Sequence, residues 1–318
     1  MPTTTSTTSR PPRAFAVDGV ARRARAGPFG RGAPRRLAAV DELATCRTRG
    51  RRSRAAGRAR RGAVGSPSAD LLADPYVARV VAAASRTADT QGVGVALRWL
   101  GRDPREELRR LARDPGVGGV LLVDYSADVL ASVPRELVPR VAAIGPADGR
   151  VPSYDVDAAA GIAALVEHVL ADGRRDVVML TGPGWLPGSR RAVEAYESVV
   201  RAAGRPTRVV AADLSWLAGA RPRARRAALA GVDALVAMSD TLAVGAMRAL
   251  AEDGVRVPDD VAVTGFDDQP FAEQAGPGLT TATHPVERIA AAATAALLGR
   301  RHDDERTFPS VVVRRTSA

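Results

Sequence analysis

From about residue 63 onward, two patterns of apolar and polar positions take turns along the chain. Short apolar runs stand between turn residues: VGVAL (93–97), VGGVLLV (117–123), RVAAIG (140–145), DVVMLTG (176–182), TRVVAADL (207–214), DALVAM (233–238), VAVTGF (261–266) and SVVVRR (310–315). Runs of this length and composition read as buried strands. Between them lie longer stretches whose apolar residues recur every three to four positions, the period of a helix with one buried face. Residues 103–116 form one such stretch, with Leu108 and Leu111 directed inward. Residues 238–254 form another, with Leu242, Ala246, Met247 and Leu250 as the inward stripe, Ser239 or Asp240 at its amino-terminal cap and Gly254 at its end.

Alternation of this kind specifies an α/β fold, with parallel sheets covered by helices on both faces. Such sheets bind ligands beyond the carboxyl ends of their strands. The stretch VPDDVAVTGFDD (257–268) puts Asp267 at that rim. A carboxylate there can accept hydrogen bonds from neighbouring hydroxyls, or it can cap the next short helix. The loop TGPGWLPGSRR (181–191) lies at an equivalent rim. Its Trp185 could stack on a ligand face or cover a helix end. Arg190 or Arg191 could donate a planar fork of hydrogen bonds or lie in solvent.

Composition divides the chain unevenly. All 46 basic residues are arginine, and the net charge is +11. Residues 1–62 hold sixteen of these arginines against Asp18, Asp41 and Glu42, a balance of +13. The remainder therefore carries about −2. A basic arm of this kind attracts nucleic-acid phosphates, or is simply a leader without a fold. Within it only 35–45 has a helical pattern. The single cysteine, Cys46, excludes an internal disulfide and suits the cytoplasm. No apolar run is long enough for a membrane span, and no export leader opens the sequence.

Catalytic signatures are missing. His168, His284 and His302 are scattered, and no HExxH, CxxC or GxSxG occurs. Without lysine there can be no phosphate-binding GxxxxGK[ST] loop. No catalytic residue, metal site or cofactor is expected.

Residues 234–298 carry a specific order of motifs: a helix ending in EDG, then VPDDVAVTGFDD, LTTATHP and an alanine-rich helix. This order, with DVDAAAGIAALVEHVLADGRRDVVMLTGP (155–183), RDPREELRRLARDPGVGGVLLV (102–123) and the terminal VVVRRTSA, resembles the lactose-repressor (LacI/GalR) family of bacterial transcription regulators. The resemblance covers roughly 63–318. It implies a periplasmic-binding-protein-like fold: two doubly wound lobes joined by three crossings, with a small molecule between them. Lobe one would comprise about 63–145 and 281–298, and lobe two about 150–278 and the carboxyl-terminal strand. The crossings would fall near 145–148, 271–278 and 280–283.

By the same resemblance Asp267 is the ligand-binding carboxylate, and Arg191, or Arg190, the ligand-binding arginine. Ser239 stands where members often carry Asn. Leu214 or Trp216 would supply the pocket wall, Tyr76 would face the ligand from lobe one, and Asp157 would open lobe two. Residues 1–62 depart from the family: 46–62 has no inward apolar stripe where a recognition helix is expected, so no DNA-binding residue is assigned. The implied function is a cytoplasmic, dimeric, effector-controlled regulator, with operator DNA, a sugar-like effector and a second copy as partners. The alternatives are a ligand-binding dimerisation domain that does not read DNA, and a transporter's solute-binding protein.

Overall fold

The computed structural model describes residues 61–67, 74–100, 103–145, 149–212, 231–299 and 306–318. The basic arm to residue 60 and the expected wall residues Leu214 and Trp216 lie outside the described residues.

Two six-stranded sheets form the frame. The first contains β1 (Arg61–Ser66), β2 (Val95–Trp99), β3 (Val117–Val123), β4 (Val141–Ile144), β5 (Ser153–Val156) and β11 (Thr307–Phe308). The second contains β6 (Val177–Thr181), β7 (Val209–Ala211), β8 (Ala234–Ala237), β9 (Ala262–Asp267), β10 (Thr280–Thr283) and β12 (Val312–Val313). Their spatial orders, β2-β1-β3-β4-β5-β11 and β7-β6-β8-β9-β10-β12, follow one plan. All pairings are parallel except that of β12 with β10. In each sheet the direction of winding reverses beside the first strand, which leaves a crevice at the carboxyl ends.

The helices are α1 (Pro75–Asp89), α2 (Pro104–Arg113), α3 (Ala127–Ala131), α4 (Ala158–Ala171), α5 (Pro187–Ala202), α6 (Asp240–Glu252) and α7 (Val286–Leu297). Local chemistry starts several of them. Asp74 caps α1 by accepting from the Tyr76 N–H at 2.8 Å, with Pro75 preset for the first turn. Asp157 caps α4 through the Ala160 N–H at 3.0 Å. Leu108 and Leu111 of α2 are buried as their spacing predicts. One apolar core runs through both lobes, from Val80 and Ile289 to Leu165 and Tyr196, and smaller cores cover the opposite face of each sheet.

The crossings between the lobes lie later than the resemblance implies. β5 pairs with β4 in the first sheet, so the first crossing falls at Asp157, where α4 departs for lobe two. β10 belongs to the second sheet and α7 packs on α1 in lobe one, so the second crossing is His284–Pro285. The third lies at 309–311, between β11 and β12. β5 escaped notice because SYDV contains no apolar run. β1 is complete although its sequence is RGAVGS: Gly65 is pressed by Leu100 and Leu122, and a Cβ there would stand 3.1 and 3.2 Å from them. β2, expected to be buried, is instead an edge strand with Leu97 and Trp99 about half exposed.

Candidate functional site

The carboxyl ends of both sheets face one cleft with about 780 Å³ of unfilled space, its mouth included. Lobe one supplies Asp74 and Tyr76 at the start of α1, Asp124 just past β3, and Asp155 and Val156 of β5. Lobe two supplies Arg191 and Ala192 from α5, Met238 and Ser239 past β8, and Phe266 and Asp267 at the end of β9. His284, on the second crossing, lies between them in the chain and also lines the cleft.

Of the residues singled out from sequence, Asp267, Arg191, Ser239 and Tyr76 line this space. Arg190 and Trp185 do not. Arg190 is one residue, about 100° of helix, away from Arg191. Its side chain is exposed and sits 3.8 Å from Glu194 one turn on. Trp185 is half exposed at the loop tip, because Leu186 and Pro187 are the loop residues that anchor inward. Ser239 caps α6, its Oγ accepting from the Leu242 N–H at 3.3 Å. Asp240 is not the cap. It is fully buried and accepts from the Thr281 hydroxyl at 2.5 Å and the Gln269 N–H at 2.6 Å, tying α6 to the strand ends beside it.

Asp267 sits in an unusual backbone conformation, φ 106°, and Asp268 follows at φ 44°. Positive φ costs a non-glycine residue energy and persists where neighbours hold it. Here the holds are visible. Arg79 donates to the Asp267 carbonyl at 3.0 Å, and His284 Nδ1 lies 3.0 Å from Asp267 Oδ1. Arg315 donates to the Asp268 carboxylate at 3.0 Å. Burial pushes the Asp267 carboxyl well above its ordinary range, with the nearby Asp74 charge adding and Arg79 opposing. Burial also pushes the His284 imidazole down to about 4, so the ring is neutral at pH 7. It packs against Tyr76 with ring centroids 4.9 Å apart.

Arg191 bonds to Asp155 across the cleft, from lobe two to lobe one. Asp124 resembles Asp267: it is a carboxylate at positive φ, 57°, at the carboxyl end of a central strand. Burial raises its carboxyl to about 7, with Asp155 adding to the shift and Arg191 opposing it. The sequence reading missed Asp74, Asp124, Asp155 and His284. Asp124 had a readable signal, since it follows VGGVLLV as Asp267 follows VAVTGF. Asp155 and His284 had none. Among the described residues no three His, Cys, Asp or Glu side chains stand close enough to hold a metal ion. No described helix is long and apolar enough to cross a membrane.

Comparison with known proteins agrees with this geometry. Residues 166–317 match the family model of a periplasmic binding protein-like domain. The HTH-type transcriptional regulator CelR of Thermobifida fusca is 30% identical over 267 residues, covering 77% of this chain and 75% of the relative. The regulator MalR of Streptomyces coelicolor is 30% identical over 240 residues, 69% of each chain. Among solved structures, a CelR–cellobiose complex superposes with a TM-score of 0.68 at 26% identity, covering 82% of this chain and 86% of the other. A lac repressor dimer bound to operator and an anti-inducer superposes at 0.71 and 22% identity, covering 84% and 96%, and so shares the fold. With a regulator matched at 30% identity over three quarters of its length and both lobes in place, the chain belongs to the LacI/GalR family of transcriptional regulators.

Proposed function

We propose that this chain is a cytoplasmic, homodimeric regulator, not an enzyme, whose affinity for operator DNA is set by a small polyhydroxyl effector held between its lobes. The carrying observation is that Asp74, Tyr76, Asp124 and Asp155 from one lobe and Arg191, Ser239 and Asp267 from the other line a single cleft. A ligand that bonds to both lobes favours one spacing between them, and it shifts the protein toward that state by its difference in affinity for the two. Asp267 accepts hydroxyl hydrogens, Arg191 donates to ring or hydroxyl oxygens, and Tyr76 with Phe266 supplies apolar wall. The CelR structure contains cellobiose, which makes β-linked disaccharides the first compounds to try.

Thermal unfolding across a sugar panel tests the reading. An effector at a hundred times its Kd stabilises the folded chain by about 2.7 kcal/mol. Asp267→Asn is expected to remove that stabilisation while leaving the ligand-free transition cooperative. An undiminished shift in the variant refutes the assignment of Asp267. A second reading, effector binding without operator recognition, is favoured by the missing apolar stripe in 46–62. Gel shifts that compare the full chain on operator-like and random DNA separate the two: equal binding to both supports the second.

A further inference from the structure

The charges lining the cleft do not balance. Among the described residues Asp74, Asp124, Asp155 and Asp267 line it, with Arg191 as the one cation. Arg191 is already bonded to Asp155. Arg79 directs its guanidinium to Glu287 and to the backbone carbonyls of Asp267 and His284 rather than to any carboxylate of the cleft. Three carboxylates, Asp74, Asp124 and Asp267, thus line one space with no arginine bonded to their oxygens among the described residues.

A metal ion does not fit this arrangement, since the acids are spread around the cleft and no three of them converge. A second feature points to an extended organic ligand. His284 Nε2 is buried and unbonded on a side chain only 10% exposed, and Arg191 Nε is also unbonded. Buried polar atoms of this kind ordinarily have partners. With His284 Nδ1 committed to Asp267, a neutral ring leaves Nε2 an acceptor or donor for a ligand hydroxyl or amine. Crowded carboxylates in a low-dielectric cleft are costly to ionise together, and a cation placed among them removes that cost. A neutral sugar can hydrogen-bond to the same oxygens but brings no charge that favours their ionised form.

We propose that the effector carries a protonated amine on a polyhydroxyl frame, as an amino sugar does, and that Asp124 receives the amine in the space it lines with Asp74 and Asp267. This rests on the effector reading of the cleft given above. Asp124 is the seat because its side chain accepts no hydrogen bond among the described residues, whereas Asp74 caps α1 and Asp267 is held by His284.

Matched pairs test it with the full chain. Glucose, galactose and cellobiose are compared with their 2-amino counterparts and with the N-acetylated forms, which restore size without charge. The amino member of at least one pair is expected to bind tenfold or more tightly than both neutral members. Asp124→Asn is expected to remove that preference, and Asn tolerates the positive φ at this position. Calorimetry at pH 7 in two buffers of different ionisation enthalpy supplies an independent reading: amine binding releases protons from Asp124, whose carboxyl is raised to about 7, whereas neutral-sugar binding does not. Neutral sugars that bind as tightly as the amines overturn the amine proposal and leave the effector reading standing. Absence of binding across the whole panel overturns both.

Discussion

Gly265→Ala should damage this protein well beyond the size of a methyl group. Gly265 lies on β9, two residues before Asp267. A Cβ built there would stand 2.3 Å from Asp240 Oδ1, 2.8 Å from Leu279 Cδ2 and 3.1 Å from the Asp240 Cα. Leu279 and Asp240 are both fully buried, so neither can swing into solvent. To make room, the Asp240 carboxyl must leave the Thr281 hydroxyl or the Gln269 N–H. Overpacking of a tight core costs about 1–3 kcal/mol, and a buried hydrogen bond left broken about 1–3 more. Stiffening of the unfolded chain by Ala offsets about 0.4–1 kcal/mol. The net expectation is a loss of about 1–5 kcal/mol. Urea unfolding followed by circular dichroism reads it as a lower midpoint at unchanged slope. Gly245→Ala is the control: Gly245 sits in α6 with nothing within 4 Å of its would-be Cβ, and the change should stabilise by about 0.5–1 kcal/mol. If Gly265→Ala lies within about 0.5 kcal/mol of the parent, the range of ordinary surface changes, the account of Asp240 as a wedged tie is wrong.

Other consequences follow from the same contacts. Burial, and then the Asp267 charge, push the Asp240 carboxyl up to about 8, against bonds from Thr281 and Gln269. Unfolded, it releases its proton near 3.8, so the stability it confers is complete below that pH and is lost as pH rises through 8. Asp124 acts with the same sign through about 7, and His284, pushed down to about 4, is already neutral in both states above its ordinary 6.5. Melting temperature should therefore fall from pH 6.5 to 9, and Asp240→Asn should flatten the decline; an equally steep decline in the variant excludes Asp240 as its source. Tyr196→Phe should cost about 1–3 kcal/mol, because the buried hydroxyl donates to the Val177 carbonyl at 2.8 Å and accepts from the Arg208 N–H at 2.9 Å. An unchanged urea midpoint would mean that water replaces it.

The fold was legible where burial writes itself into the sequence. VGGVLLV and VAVTGF are central strands covered on both faces, and such strands have no choice but to be apolar. β5 and β1 were hidden for two different reasons. SYDV alternates buried and half-buried positions and carries the site's own acid, so its polarity belongs to the cleft. RGAVGS is small because its neighbours fill the space a larger side chain would take. The site was half legible. Strand-end carboxylates such as Asp267 announce themselves, but helix phase alone does not decide between Arg190 and Arg191, since either could face the cleft until the loop fixes where α5 begins. Asp155 became a candidate only when folding brought β5 opposite α5, two elements that sequence does not place together.

That last pairing bears on how the cleft could switch. Asp155 and Arg191 are 16% and 31% exposed, so their attraction is stronger than that of a surface pair yet partly offset by lost hydration. It joins the lobes directly. A ligand that only offered Arg191 another acceptor would exchange one partner for another and leave Asp155 buried and unpaired, with little net gain from closure. A ligand that gives Arg191 an oxygen and also brings a positive charge to the acids opposite leaves neither side unpaired. On this argument the cleft selects for ligands of mixed character, because only they can replace the interlobe ion pair without stranding one of its charges.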